Sequence, residues 1–320
     1  MELFNLKKNT VEEVSLKPFK LEKEIQDLVE KNTETFFQLE FICSELTVGK
    51  YRIDTLCFDR ENNSFVIIEY KKGSSYSVID QGFTYLQLML NSKSDFLLTL
   101  SQHLNKVLHL KDIDWSQSRI LFISQSFNSY QKDSVNFKNL PFELLEIKRF
   151  TNNTIVFNKH ISSSKESIES LSNSKNKNLI SSVSKEVKTK DESEHLSKSN
   201  KEIKDKWDTL KNRISELIDV DIVSKNNYIN WVYSSKNLCY FIFRKNSISL
   251  ELVRGTISPD GTKSRNFFNI DDPKGISKES SWEWKSGSKG NIYKITINIE
   301  TDIDYIMFLI KQKYNNLQGN

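Results

Sequence analysis

The chain of 320 residues is 37% hydrophobic and 28% charged, which is typical of a globular protein of two domains. It has no apolar run of about 18 residues and no N-terminal signal pattern, and its three separated cysteines and four histidines favour a reduced, zinc-free cytoplasmic protein. The formal net charge of +4 is too small for nucleic-acid binding through bulk charge, so such binding would require a folded patch.

The pattern of apolar residues in 1–160 predicts helices that alternate with short strands. Apolar residues recur at helical spacing in "LEKEIQDLVEKNTETFF" and in "YSVIDQGFTYLQLMLN". Apolar runs predict a hairpin from "GKYRIDTLCFD" and "SFVIIEYKK", then strands at "DFLLTL" and "RILFIS" with a helix at "SQHLNKVLH" between them, and a last hairpin in "FELLEIKRFTNNTIVFNK". This order indicates an α/β fold in which helices flank a mixed sheet.

Residues 161–204 form the clearest boundary in the chain. The stretch 161–200 holds 13 serines, 7 lysines and no aromatic residue. Such a segment cannot bury enough apolar surface to offset the entropy that ordering would cost. We therefore predict a flexible or partly helical linker at 161–204, between an N-terminal domain at 1–160 and a C-terminal domain at 205–320.

The sequence pattern of the C-terminal domain predicts a smaller α+β fold. It begins with a helix, continues with three or more strands that carry alternating aromatic residues, and ends with an amphipathic helix from Ile303 to Tyr314. Several basic residues lie near Trp282 and Trp284, namely Arg244, Lys245, Arg254, Lys263 and Arg265. Basic and aromatic groups together can bind a nucleic-acid strand, although core packing and ordinary surface account for the same residues.

Polar residues interrupt the first hairpin where apolar residues would be expected. Asp54 lies within its first strand, and Glu69 and Lys71 lie at the end of its second strand. Side chains alternate along a strand, so Glu69 and Lys71 share one face. Pairing of the two strands brings Asp54 next to Glu69. Two carboxylates at that distance repel each other unless a cation lies between them.

The chemistry of these side chains predicts a metal site. Carboxylate oxygens without histidine or cysteine favour Mg²⁺ or Mn²⁺. Lys71 cannot bind such an ion, but it can orient a water molecule or stabilise negative charge that develops on a phosphate. The set therefore fits metal-assisted hydrolysis of a phosphodiester bond.

Two pairs of polar residues on helices extend this set. Gln81 and Tyr85 are four residues apart on the helix after the hairpin, and Glu22 and Gln26 are four apart on the first helix. The amide of Gln81 and the phenol of Tyr85 are candidates for positioning a substrate, together with Gln26 and Arg52. Glu22 is a candidate for a third carboxylate at the metal.

Four stretches in this order, "LEKEIQ", "GKYRIDTLCFD", "FVIIEYKK" and "DQGFTYL", resemble the PD-(D/E)xK nuclease superfamily, nearest to its RecB-like and mismatch-endonuclease-like branches. The resemblance covers roughly residues 15 to 160 and implies a restriction-endonuclease-like mixed sheet. Ile53 stands where the name of the superfamily has proline, a departure that many members share. The resemblance also implies a role for each matching residue: Glu22, Asp54, Glu69 and the carbonyl of Tyr70 as metal ligands, Lys71 as the catalytic lysine, and Gln81 and Tyr85 as the motif that follows.

The C-terminal domain is similar to an uncharacterised α+β domain that often follows such nuclease-like domains. This resemblance carries no activity to this chain, but it leaves partner recognition or nucleic-acid binding open for residues 205–320. Many members of the nuclease superfamily dimerise to cut both strands, so a homodimer is compatible with the sequence.

The expected function is that of a Mg²⁺- or Mn²⁺-dependent nuclease that acts on DNA, with cleavage of RNA as a variant of the same site. The alternative is a catalytically inactive module of the same fold that binds nucleic acid or a protein. Each site residue also has an ordinary structural reading. Asp54 could pair with Arg52, Glu69 and Lys71 could form a surface ion pair, and the polar helix residues could simply be solvated.

Overall fold

The computed structural model describes residues 2–71, 78–137, 140–160, 183, 187, 190–216, 220–225, 227–233, 236–264 and 266–319. The chain divides into two compact units, Met1–Lys188 and Thr189–Asn320. Among the described residues, no helix combines the length and the apolar character needed to cross a lipid bilayer.

The first unit combines helices with strands that lie far apart in the chain. Its elements are β1 (Phe4–Lys7), β2 (Thr10–Glu13), α1 (Glu22–Glu30), α2 (Thr33–Phe37), β3 (Glu40–Val48), β4 (Tyr51–Asp59), β5 (Ser64–Lys71), α3 (Val78–Asn91), α4 (Lys93–Leu104), β6 (Arg119–Ser124), α5 (Ser129–Ser134), β7 (Phe142–Arg149) and β8 (Ile155–Lys159). Two short 3₁₀ turns, Leu110–Asp112 and Trp115–Gln117, precede β6.

Six of these strands form one mixed sheet in the order β3-β4-β5-β6-β7-β8. Strands β5, β6 and β7 run parallel, whereas the other neighbours are antiparallel. In β5 every residue from Ser64 to Tyr70 is buried. A strand that is apolar on both faces is typical of a sheet covered by helices on both sides.

The two faces of the sheet have separate cores. Because side chains alternate along β5, Phe65 and Ile67 pack with α3 and α4, whereas Val66 and Ile68 pack with α1. Full burial of such a side chain contributes about 1.5–3 kcal/mol, so these two layers fix the hairpin of β4 and β5 between the helices.

The stretch "DFLLTL" was predicted as a strand, and this prediction was wrong because the stretch lies inside α4. Phe96 and Leu100 are both fully buried, whereas Leu98 between them is 58% exposed. A strand would have turned all three to one face, whereas a helix groups residues four apart. The run of leucines therefore concealed helical spacing.

The first predicted helix is also divided in the structure. Asn32 separates α1 from α2, and its side-chain amide donates to the carbonyl of Leu28 at 2.7 Å. This bond satisfies one of the carbonyls that the end of a helix leaves free. Strands β1, β2 and β3 were not predicted, and β3 extends the hairpin to three antiparallel strands.

Where the structure describes it, the second unit consists of three helices and an antiparallel sheet. Its described elements are α6 (Glu192–Leu196), α7 (Lys201–Ser215), β9 (Asp221–Ser224), β10 (Ile229–Tyr233), β11 (Lys236–Phe243), β12 (Ile248–Ile257), β13 (Ser277–Glu283), β14 (Lys289–Ile297) and α8 (Ile303–Gln318). The sheet order is β13-β14-β12-β11-β10-β9, with all pairs antiparallel. Trp207 of α7 packs against Trp231 and Phe241, at 5.5 and 5.0 Å between ring centroids. The predicted α/β class with a smaller α+β unit is confirmed.

The end of the predicted linker is helical, which is one of the two predicted alternatives, and it belongs to the second unit. Residues 190–204 contain α6 and the start of α7, and both His195 and Ile203 are buried in the second unit. Asp191 and Glu194 form a reciprocal capping box at α6, and the side chain of Asn200 caps α7. In the sequence, these capping residues look the same as the ordinary polar residues of a linker. Apart from Val183 and Val187, residues 161–189 of the predicted linker lie outside the described residues.

Candidate functional site

The hairpin of β4 and β5 places Asp54 and Glu69 side by side. The last pair of the ladder is Thr55 with Ile68, so Asp54 and Glu69 occupy the next position along the two strands. Both point to the face of α3, as the alternation from Leu56 and Ile67 requires. The backbone N–H of Tyr70 donates to Oδ2 of Asp54 at 3.1 Å, which fixes this carboxylate against β5.

Glu69 is buried and only one of its oxygens is bonded. Oε1 accepts from Nζ of Lys71 at 3.0 Å and from Nε2 of Gln81 at 2.6 Å. Oε2 is buried and accepts no hydrogen bond from a donor within the part of the chain that the structure describes. The carboxyl of Asp54 lies within hydrogen-bond reach of Glu69, so the two groups can share a proton when Glu69 is protonated. A buried oxygen without a partner costs about 1–3 kcal/mol, and more when it is charged.

The two carboxyl groups disfavour each other's ionisation. The pKa of Glu69 is raised to about 7, chiefly by burial and next by the nearby charge of Asp54, against the lowering effect of Lys71. Burial also raises the pKa of Asp54, against the opposing effects of the Tyr70 N–H and of Lys71. One ammonium therefore serves two buried carboxyls, and one negative charge remains without a partner when both are ionised.

The donor set fits a divalent cation in part. An unbonded oxygen of Glu69 beside the carboxyl of Asp54 is what a hard cation such as Mg²⁺ requires. However, among the described residues no group of three or more His, Cys, Asp or Glu side chains is arranged to hold a metal ion. Glu22 is thus not brought into one cluster with Asp54 and Glu69.

Glu22 lies instead at a pocket beside Lys71. This residue begins α1, and it lines a pocket of about 110 Å³ together with Lys71, Phe19 and Gln125. The amide of Gln125 accepts from the N–H of Phe19 at 2.7 Å and donates to its carbonyl at 3.0 Å. These two hydrogen bonds to the backbone of Phe19 hold the start of α1 against the end of β6.

Gln81 and Tyr85 share one face of α3, as their spacing predicts, and both bind the protein itself. Nε2 of Gln81 contacts Oε1 of Glu69 at 2.6 Å and the hydroxyl of Tyr85 at 3.0 Å. The hydroxyl of Tyr85 donates to the carbonyl of Arg52 at 3.0 Å, and the ring is only 6% exposed. The pair therefore connects α3 to both strands of the hairpin.

The other two candidates for substrate binding have different surroundings. Gln26 is buried, and its amide donates within the protein, including a bond of 3.3 Å to the carbonyl of Asp54. The side chain of Arg52 is 63% exposed and lies 3.6 Å from Glu45. Its charge is the weakest of the effects on the pKa of Asp54, so the pairing of Asp54 with Arg52 does not dominate the site.

The basic residues of the second unit have different surroundings where the structure describes them: Arg254 is used in packing, whereas Arg244 and Lys245 are exposed. Arg254 stacks on Tyr293 at 4.5 Å, donates to Asn269 at 2.9 Å and pairs with Glu279 at 2.7 Å. Trp284 is 3% exposed. Trp282 packs so closely on the backbone of Gly290 that a Cβ there would lie 2.2 Å from its ring. Arg265 lies outside the described residues.

Sequence reasoning did not identify Glu30, which accepts hydrogen bonds from Gln26, Ser44 and Thr55 beneath the hairpin. The available signal was the spacing of four residues from Gln26 to Glu30 on a helix that packs on the sheet. Polar residues on the buried side of α1 indicated bonds to the sheet rather than a solvated face.

Fold and site together define an α/β protein that carries a buried, incompletely neutralised carboxylate pair on its central hairpin. The chain is 37% identical over 317 residues to an uncharacterised protein of Haemophilus influenzae, and the alignment covers 98% of this chain and 99% of that protein. The chain belongs to the same family as this protein. No family model matches the chain.

Three solved structures match part of the chain at low similarity. They are a complex of EndoMS with double-stranded DNA (15% identity, 46% of this chain and 64% of that chain), a repair endonuclease from Pyrococcus abyssi (13%, 45% and 65%) and SfsA of Pyrococcus furiosus with Ca²⁺ (11%, 48% and 77%). The chain spans less than two thirds of the first two. Each TM-score is 0.24, which is too low for these matches to inform the function.

Proposed function

We propose that the first unit is a divalent-metal-dependent nuclease that hydrolyses phosphodiester bonds in DNA. The observation that carries this proposal is the buried Oε2 of Glu69, which no hydrogen-bond donor of the described residues contacts and which lies beside the carboxyl of Asp54. Proteins rarely leave a buried carboxylate oxygen without a partner, and a missing ligand is one of the recognised reasons. The preference for DNA rests on the resemblance to PD-(D/E)xK nucleases.

Each residue of the proposed site has a distinct task. Asp54 and Oε2 of Glu69 would hold Mg²⁺ or Mn²⁺, with the carbonyl of Tyr70 as a further ligand. The ion would supply a bound water of lowered pKa and neutralise charge on the phosphate. Lys71 remains attached to Oε1 of Glu69 at 3.0 Å, so its ammonium is held at the site to orient water or stabilise negative charge.

Two residues are assigned supporting tasks rather than substrate contacts. Gln81 donates to the oxygen of Glu69 that also binds Lys71, so it keeps Oε2 available for the ion. Tyr85 holds Gln81 and the carbonyl of Arg52. Such bonds to a ligating carboxylate orient it and tune its affinity for a metal.

A second candidate function is a catalytically inactive module that binds nucleic acid or a protein. The observation that favours it is the absence of a third acidic side chain at the pair, since no group of three potential ligands forms among the residues described. In that case the pair with Lys71 would be a remnant of a metal site.

One experiment separates the two functions. Purified full-length protein is incubated with plasmid, single-stranded DNA and RNA, each in Mg²⁺, Mn²⁺ or EDTA, alongside Asp54→Asn. The nuclease predicts products that require the metal and are lost in the variant. Binding without products in any metal supports the inactive module. Products that appear equally in EDTA, or equally from the variant, contradict the proposed site.

A further inference from the structure

A cluster of hydrogen bonds lies beneath Asp54, on the face of the sheet opposite its side chain. Oε1 of Glu30 accepts from Nε2 of Gln26 at 2.9 Å, from Oγ of Ser44 at 2.9 Å and from Oγ1 of Thr55 at 2.6 Å. One carboxylate oxygen thus connects α1 to both β3 and β4. Bonds to a charged acceptor are about twice as strong as neutral ones.

The cluster reaches the backbone of Asp54 directly. Nε2 of Gln26 donates to the carbonyl of Asp54 at 3.3 Å, and Gln26 is 7% exposed. The next residue along the strand, Thr55, donates to Glu30 at 2.6 Å. Hydrogen bonds with α1 therefore hold two consecutive residues of β4. Asp54 is held through its backbone carbonyl, and Thr55 is held through its side chain.

Tyr70 closes the connection between the two faces of the sheet. Its backbone N–H donates to Oδ2 of Asp54 at 3.1 Å on the face of α3. Its phenol lies 3.2 Å from Oγ1 of Thr55 on the face of α1. A displacement of β4 on one face would consequently lengthen bonds on the other.

We propose that Gln26 and Glu30 are positioning residues. They set the Asp54 carboxylate against Glu69 by holding the backbone of β4 from the face of the sheet that α1 covers. This inference rests on the proposed function, because it assigns to α1 the alignment of the proposed ligand pair. It also gives Gln26 a task different from the substrate contact that its place in the sequence predicted.

The physical basis is that a metal site with only two carboxylates tolerates little displacement of either one. A cation held by few protein oxygens requires both in a fixed geometry, and residues that orient ligands typically change metal affinity by about 10–100-fold when removed. On the side of β5, Asp54 lies one residue beyond the last backbone pair, Thr55 with Ile68, whereas on the other edge β3 continues to pair with β4. The bonds from Gln26, Glu30 and Tyr70 replace that missing pair.

The test uses full-length Gln26→Met, which keeps the length of the side chain and removes the amide. The matched control is Gln131→Met, the same change at a glutamine that is 1% exposed on α5 in the same unit. Three quantities are measured for each protein: the dissociation constant for Mg²⁺ by calorimetry, the KM for DNA with kcat at saturating Mg²⁺, and the hydrogen exchange rate of the Tyr70 amide by NMR without metal.

The proposal predicts that Gln26→Met raises the dissociation constant for Mg²⁺ about tenfold and speeds exchange at Tyr70 about tenfold, with KM for DNA and kcat at saturating Mg²⁺ close to wild type. In Gln131→Met both the metal affinity and the Tyr70 exchange rate stay at wild-type values. A raised KM for DNA with unchanged metal affinity would instead make Gln26 a substrate contact and overturn the positioning role.

A second variant covers the case in which Gln26→Met does not fold. Thr55→Val removes the bonds to Glu30 and Tyr70 and keeps a β-branched side chain, with Thr47→Val on β3 as its exposed control. If the wild type neither binds Mg²⁺ nor cleaves DNA, the proposed function fails, and the Tyr70 amide alone decides the positioning role. Unchanged exchange at Tyr70 in both Gln26→Met and Thr55→Val overturns it.

Discussion

The two ends of the ladder between β4 and β5 each carry an aspartate: Asp59 lies in the last pair at one end, and Asp54 lies one residue beyond the other end. The two aspartates differ in how their charge is balanced. At Asp59, Oδ2 accepts from the guanidinium of Arg119 at 2.9 Å and from the amide of Asn62 at 2.8 Å, and Oδ1 accepts from the Asn62 N–H at 3.0 Å. At Asp54, the hydrogen bond that fixes the carboxylate comes from the backbone N–H of Tyr70.

The neighbouring glutamates repeat this contrast. Glu40, at the Asp59 end of the sheet, is 2% exposed and is bound by the guanidinium of Arg60 and by Nε2 of His103 at 3.0 Å. Glu69 has Lys71 on one oxygen and no partner on the other among the described residues. Two carboxyls at one end have a guanidinium each, whereas two at the other end share one ammonium. The same sheet therefore neutralises both buried acids at the Asp59 end and leaves one oxygen of Glu69 without a donor at the position proposed for a cation.

The largest expected effect is on cleavage at the Asp54 end. Asp54→Asn keeps the shape of the side chain and removes its charge, so metal-dependent cleavage should fall by about 10³-fold or more. Initial rates on plasmid DNA at saturating Mg²⁺ measure this, with circular dichroism to show that the fold is intact. A rate within a factor of two of wild type would remove Asp54 from the site.

The same kind of change at the other end of the ladder between β4 and β5 should act on stability instead. Asp59→Ala leaves Arg119 without its closest carboxylate, and breaking a buried pair costs about 3–5 kcal/mol. Urea denaturation should show this loss, while the cleavage rate per folded molecule, measured well below the melting temperature, should remain. A parallel loss of cleavage would erase the functional difference between the two ends.

A smaller effect concerns the pH dependence of the metal-free protein. The pKa of Glu69 is raised from 4.5 to about 7, so ionisation of this group opposes folding. The folded state then binds more protons than the unfolded state between about pH 4.5 and 7, and stability contributed by the neutral acid is lost as pH rises through this window.

Glu69→Gln should remove this loss. In EDTA, the variant should be more stable than wild type by on the order of 2–3 kcal/mol at pH 8, whereas the two should converge near pH 4.5. Guanidinium denaturation at both pH values gives the difference. A constant difference across the range would show that the Glu69 carboxyl ionises as easily in the fold as in the unfolded chain.

The smallest expected effect is at Tyr85. Tyr85→Phe removes the bond to the carbonyl of Arg52 and the acceptor for Gln81, which costs about 1 kcal/mol of stability. Tyr130→Phe is the control, because Tyr130 is 66% exposed on α5. Thermal melts of the two variants should differ. Identical melting temperatures would mean that Tyr85 does not hold α3 to the hairpin.

The sequence predicted the hairpin and the convergence of its carboxyls because both depend on local rules. Alternation places Glu69 and Lys71 on one face, and antiparallel pairing brings Asp54 beside Glu69, which the structure reproduces. The mixed sheet followed from helices alternating with apolar runs. These features need no knowledge of how distant elements pack.

The features that the sequence did not predict depend on packing between elements. The spacing of Gln81 and Tyr85 placed them on one face of α3, but only the docking of that helix determines that they bond to Glu69 and Arg52. The separation of Glu22 from the carboxyl pair depends on how α1 crosses the sheet. At "DFLLTL", a short leucine-rich run satisfied both strand and helix patterns, and burial of Phe96 with Leu100 decided for the helix.

The most direct test of the account is a calorimetric titration of Mg²⁺ into the wild-type protein, Asp54→Asn and Glu69→Gln at pH 7.5. The account predicts a saturable heat for one ion per chain in the wild type and its loss in both variants. Saturable binding that persists unchanged in both variants, or no binding in the wild type, would contradict a metal held between residues 54 and 69.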